Sequence, residues 1–243
     1  MGVTRVIKFL IKPNQTGILM KTIIIIILFL SCCSPAQMPA GPLVITPEAR
    51  DLIVGFETGG QSYYTARLKS PSYPGGASGT TIGIGYDCGY NTRAQILADW
   101  AALPKGSRDA LAATAGVKGV AAKSRAAACR WIVVPWALAQ DVFVARTMPR
   151  FGVMTAAAFP GILSTHGHVQ GVVLSLVFNR GPAMQGSSRA EMRSVRAAVA
   201  AGTIRPVPAH IRAMKRLWLG KGLPGLLLRR EAEAALVERV MGH

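Results

Sequence analysis

Two stretches hold residues whose types could do chemistry. One is "GFETGGQ", whose only acid is Glu57; the other is "SGTTIGIGYDCGYN", Ser78 to Asn91, which carries Thr81 and Asp87 among glycines. Acids are scarce in this chain, with 11 Asp and Glu against 28 Lys and Arg. Cleaving a glycosidic bond takes one carboxyl that keeps its proton for the leaving oxygen, and a second that is ionised to activate water or attack the sugar. A Glu and an Asp in unlike surroundings suit that division. Glu57 is expected at the C-terminal end of a helix, where the dipole and burial both disfavour its charged form. In an extended strand Thr81, Gly83, Gly85 and Asp87 share one face, but six residues span about 20 Å, so the strand must bend at Gly83 or Gly85. On the residues alone, a turn-capping role explains Asp87 better than catalysis does.

The other nine acids have ordinary explanations. Glu48 sits in a first helical turn, and Asp51, Asp99, Asp109 and Asp141 in amphipathic or loop settings. Glu191 opens a helix, while Glu231, Glu233 and Glu238 share a C-terminal helix with Arg229, Arg230 and Arg239, where i,i+4 pairing is expected.

The elements that must position the two acids are mostly helical. "ITPEARDLIVGFE" offers Thr46 as N-cap, Pro47 at the first helical position and an apolar stripe of Leu52, Ile53 and Phe56, ending around Glu57. From Gln61 to Tyr90 turn residues dominate, and "TTIGIGY" alternates as a short sheet or hairpin does. Helical patterns resume with "NTRAQILADWAAL" behind an Asn91/Thr92 cap. "KSRAAACRWIVVPWALAQDVFVARTMPRF" divides into two helices before Pro135. "QGVVLSLVFNRG" is an apolar helix stopped at Gly181, and "SSRAEMRSVRAAVAAG" begins on a Ser cap and ends at Gly202. "PAHIRAMKRLWLG" and "LLLRREAEAALVERV" close the chain. The fold class read from this order is α+β and mainly helical, with a small β-hairpin lobe beside a larger helical lobe.

At the head, "MKTIIIIILFLSCCSPAQ" reads as a secretory signal: one cation, an apolar run from Ile23 to Leu30, then small residues. That run is shorter than the roughly 20 apolar residues of a membrane span. Residues 1–36 are therefore read as a signal peptide with an extended or misassigned start, 37–42 as a linker and 43–243 as one domain. "SPA" before Gln37 suits ordinary cleavage, whereas "LSCC" loosely resembles a lipobox that would lipidate Cys32 or Cys33. The expected location is accordingly exported: periplasm, outer membrane or secreted. An oxidising compartment would permit Cys88 and Cys129 to pair.

The formal net charge is +17, and removing a head with four cations and no acid leaves the body strongly basic. Such a surface attracts polyanions: nucleic acid, anionic lipid or an anionic cell wall. The basic positions Arg189, Arg193, Arg196, Arg212, Lys215 and Arg216 read as solvated helix faces. No nucleic-acid-binding motif is present. "STHGHVQG" brings His166 and His168 together without acid or Cys neighbours, which reads as a solvated loop rather than a metal site.

The assembled pattern resembles the phage-type lysozymes of glycoside hydrolase family 24, and more closely the pesticin-like muramidases. That pattern is a helix-terminal Glu followed by a T-I-G-x-G hairpin, here Glu57 and "TIGIGYD". "VPWALAQDVF", "VVLSLVFNRG" and "GLLLRREAEAALV" resemble the family's mid-chain, central buried and C-terminal helices, so the likeness spans about residues 43–240. Many phage-type members place the second acid between the Glu and the hairpin Thr, where this chain has "YYTARLKS"; in the pesticin-like branch it follows the hairpin, which suits Asp87. The resemblance implies a lysozyme-like fold and hydrolysis of the β-1,4 bond between N-acetylmuramic acid and N-acetylglucosamine in peptidoglycan. It implies Glu57 as general acid, Thr81 and Asp87 holding the attacking water, no cofactor or metal, and a monomer. Tyr86 and Asn179 are further candidates for lining the sugar cleft, with a core tyrosine and a helix-end Asn as the alternatives. The rival reading is a peptidoglycan-binding lipoprotein of the same shape without activity.

Overall fold

Thr46 sets the entry to the first helix. Its backbone is extended, its hydroxyl accepts from Ala49 N at 3.3 Å, and Pro47 then starts α1, Pro47–Thr58. Gly59, left-handed at φ 65°, ends the helix by donating its N–H to Gly55 O at 2.8 Å. The computed structural model describes residues 41–242. The expected signal segment, the lipidation candidates Cys32 and Cys33, and linker residues 37–40 lie outside the described residues.

Where turns are expected after Gly60, the chain is first helical: Gln61–Tyr63 runs into a π-turn, Tyr64–Leu68. Burial of Tyr64 holds this turn, with its hydroxyl donating to Val134 O at 3.1 Å. The hairpin follows. Strand β1, Thr81–Ile82, pairs antiparallel with β2, Tyr86–Asp87, setting Thr81 opposite Asp87 and Ile82 opposite Tyr86. Gly83 and Gly85 both make the reversal, at φ 61° and 67°, a region open to glycine at no steric cost. A Cβ on Gly83 would also come within 2.7 Å of the Trp100 ring.

Helices then succeed one another: α2 Arg93–Asp99, α3 Lys105–Ala112, α4 Val120–Ala128, α5 Trp136–Val142, α6 Met148–Ala158, α7 Gly167–Arg180, α8 Ala190–Ala200, α9 Val207–Ala213 and α10 Pro224–Glu238. The α2 cap is Thr92, in a reciprocal capping box with Gln95. The break before Pro135 is present, although Cys129–Val134 leaves the helix early. The Ser cap expected for α8 is absent: a 3-10 turn, Ser187–Arg189, leads in without any side-chain cap. The described body is thus mainly helical with one small two-stranded antiparallel sheet. No helix among the described residues is long and apolar enough to cross a membrane.

Helix α7 is the axis of the body. It is buried continuously from Val169 to Val177, as a helix apolar on all sides requires. Its Leu174 joins the cluster of Tyr64, Ile82, Ile84, Tyr86 and Trp100 under the hairpin. Val172, Val173, Leu176 and Val177 join a second cluster with α8, α9 and α10. Helix α1 crosses α7 at Gly171, where an added Cβ would stand 2.3 Å from Ala49 Cβ and 2.9 Å from Ile45 Cγ2. Gly171→Ala should therefore overpack the crossing and lower unfolding free energy by about 1–3 kcal/mol, read as a lower urea midpoint at unchanged slope.

Candidate active site

Glu57 lies in the last turn of α1, and the structure gives it a partner that sequence reasoning missed. Arg229, from α10, donates Nη1–H to Glu57 Oε1 at 2.6 Å; the side chains are 4% and 21% exposed. The same guanidinium donates Nη2–H to Ser175 Oγ at 2.9 Å and Nε–H to Glu233 Oε1 at 3.2 Å. Ser175 in turn donates its hydroxyl to Glu233 Oε1 at 2.6 Å, and Arg230 donates to that oxygen at 2.8 Å. Three helices, α1, α7 and α10, thus meet in one buried network of two acids and two cations. Burial pushes the Glu233 carboxyl up against the pull of Arg230 and Arg229, and pushes the Arg230 guanidinium down to about 10.

Among the described residues Glu57 Oε2 has no hydrogen bond, and it is not one of the buried unpaired atoms. An open pocket of about 310 Å³ borders the Arg229 side of this pair, lined by Phe56, Leu223, Pro224, Leu226 and Arg229 among others, but not by Glu57 itself. One wall residue precedes Glu57 in the chain and another is its ion-pair partner. A carboxyl fixed through one oxygen, with the other open to solvent, is able to exchange a proton with a bound molecule.

Thr81 and Asp87 stand together as directly opposed residues of the hairpin, so their side chains share a face. Asp87 is also a structural clamp. Its Oδ1 and Oδ2 accept from Gly79 N at 3.0 and 2.9 Å, and Oδ1 accepts from Gly89 N at 2.8 Å. The turn-capping role is therefore real, and it uses three of roughly four lone-pair sites on the carboxylate. Gly79 is required there, because its Cβ would lie 2.4 Å from Asp87 Oδ1. The Thr81 hydroxyl donates only a long bond, 3.4 Å, to Gly79 O. No hydrogen bond or ion pair among the described residues joins Glu57 to either of them.

Tyr86 is a correction. It is 3% exposed, packs edge-on against Trp100 at 5.4 Å and donates its hydroxyl to Asp99 Oδ2 at 2.7 Å. Burial raises its pKa, and its ring is closed to a sugar. Asp99, expected in an amphipathic setting, is buried as well and held by Arg150 Nη2 at 2.6 Å. The side chain of Asn179, half-buried in the last turn of α7, has no hydrogen-bond partner among the described residues. Its neighbour Phe178 stands where a Cβ on Gly85 would touch it, at 3.2 Å.

The histidines are not a solvated loop: His166 caps α7, accepting from His168 N at 3.1 Å, and His168 Nδ1 bonds Thr46 Oγ1 at 2.7 Å. Among the described residues no three His, Cys, Asp or Glu gather as a metal site would need. Cys88 and Cys129 are free and buried. The pairing expected within α10 holds for Glu233 alone; Glu231 and Glu238 reach across to Arg212 at 2.7 and 2.9 Å. Several basic positions read as solvated are also engaged. Arg193 donates to Met184 O and Gly186 O at 2.7 and 2.9 Å, Arg189 to Gly181 O, Arg216 pairs with Glu191, and Lys215 with Glu231.

A signal for the missed network exists in the sequence. Arg229, Glu233 and Val237 stand at i, i+4 and i+8, so the charges lie on the apolar stripe of α10, and Ser175 is a lone polar residue inside "VVLSLV". No protein-family model and no curated protein matches the chain. Arg229→Met would leave Glu57 without its ion-pair partner and remove one of the donors to buried Glu233, and is expected to cost about 3–5 kcal/mol of stability. Ser175→Ala, which removes one hydrogen-bond partner, should cost about 1–3 kcal/mol; urea unfolding of both variants checks the order.

Proposed function

We propose that the chain is a muramidase of lysozyme-like fold, exported to the cell wall, that hydrolyses the β-1,4 bond between N-acetylmuramic acid and N-acetylglucosamine. The observation that carries this reading is Glu57: a helix-end carboxyl with Oε1 fixed by Arg229, whose side chain also lines an open pocket, and Oε2 without a partner among the described residues. In the proposed reaction Glu57 delivers a proton from Oε2 to the glycosidic oxygen, which leaves with the bond's electron pair. A water between the Thr81 hydroxyl and the remaining lone pair of Asp87 Oδ2 attacks the anomeric carbon from the opposite face and gives up its proton there. That route inverts the anomeric centre and needs the carboxyls about 6.5–9.5 Å apart. Asn179, whose side-chain amide has no partner among the described residues, is suited to bonding an acetamido group.

One observation favours the second reading, a wall-binding module without activity: the carboxylate of Asp87 is largely occupied by backbone N–H groups. Clearing of outer-membrane-permeabilised cells separates the two. With the enzyme reading, Glu57→Gln loses roughly 10²- to 10⁴-fold in clearing rate while still sedimenting with sacculi. A wild-type protein that sediments with sacculi and clears nothing assigns the binding role instead.

A further inference from the structure

Two groups of cations among the described residues contrast with one another. Those of α8, α9 and α10 are mostly bound to carboxylates or carbonyls within the protein. Those between Asp109 and Asp141 have no acid in the intervening sequence to pair with. Lys123, Arg125 and Arg130 are exposed, and their side chains make no hydrogen bond or ion pair among the described residues. Lys118 stacks on the exposed ring of Tyr90 at 4.4 Å, and its chain runs directly into α4.

The same stretch of chain carries large apolar side chains in water. Val120 is 83% exposed, Trp131 60% and Val133 54%. Helix α4 turns Ala122 and Ala126 inward and leaves Val120, Lys123 and Arg125 outside. Hydrogen-bonded turns, Arg130 N to Ala127 O and Ile132 N to Cys129 O, carry the chain out of the helix. It then extends with Ile132 and Val134 buried and Trp131 and Val133 facing out, anchored by Val134 N to Lys69 O at 2.8 Å. The exposure is therefore fixed by the buried alternate residues.

We propose that this face, α4 with Trp131 and Val133, docks the protein on an anionic phospholipid surface. Unpaired Lys and Arg without any acid among them meet the headgroups, each strengthening association about fivefold. Trp is suited to the headgroup boundary, and aliphatic side chains enter the acyl edge just beneath it. A nucleic acid would satisfy the cations but would leave Val120 and Val133 in water, so charge and apolar area together favour lipid.

The test uses the full-length protein and vesicles of phosphatidylglycerol mixed with phosphatidylcholine, against phosphatidylcholine alone. All variants share the same head, so its apolar run contributes equally to each. Sedimentation should favour the anionic vesicles, and both Trp131→Ser/Val133→Ser and Lys123→Glu/Arg125→Glu should weaken binding about tenfold or more. Trp131→Phe should abolish the blue shift of tryptophan emission that the vesicles cause in wild type. Circular dichroism confirms that these surface changes leave the fold intact. Unchanged vesicle binding in both double variants overturns the proposal. So does a pattern in which only the charge variant loses binding, and loses duplex DNA equally, which marks a general polyanion site.

Discussion

The fold is organised around the guanidinium of Arg229. Placing a cation where 4% of its side chain meets solvent is costly unless its donors are filled, and here they are filled by Glu57, Ser175 and Glu233 from three different helices. Helices α1, α7 and α10 cannot shift independently without breaking a charge-assisted bond. The free oxygen of Glu57 inherits its orientation from that constraint. Stability and the candidate chemistry consequently share atoms, and the last turn of α1 is held by side-chain bonding as well as by its glycine cap.

The hairpin has a different economy. Its register is short, only two pairs, and it is held by Asp87 bonding across to Gly79 and Gly89 and by Tyr86 reaching Asp99 beneath. Glycines are needed where the strand reverses and where Gly79 passes the carboxylate. The hairpin turn lies close to α7 at Gly85, where an added Cβ would come within 3.2 Å of Phe178. The central helix therefore carries both halves, Ser175 toward the Arg229 network and Phe178 toward the hairpin turn.

Local signals in the sequence transferred well. The Thr46 cap, the Gly59 stop, the glycine bend between Thr81 and Asp87, the break before Pro135 and the Gly181 terminus are each set by neighbours in the chain. Long-range consequences did not transfer. Nothing adjacent to Tyr86 announces Asp99 as its partner, and i,i+4 spacing cannot distinguish a solvated Arg–Glu pair from one packed against Ser175, fifty-odd residues earlier. Arg189 and Arg193, read as solvated faces, fold back on the carbonyls of Gly181, Met184 and Gly186, which lie outside any helix or strand ladder. Asp87 shows the limit most sharply, since capping and water-holding call for the same residue at the same place.

Cys88 and Cys129 carry a kinetic consequence. Both thiols are buried, and burial pushes Cys88 up to about 12, so the folded chain holds it as an unreactive thiol. The unfolded chain exposes both at ordinary acidity. In any oxidising compartment, acquisition of the native state is thus a race between burying sulfur and cross-linking it. The lobe under the hairpin, which closes over Cys88, decides how long that window stays open.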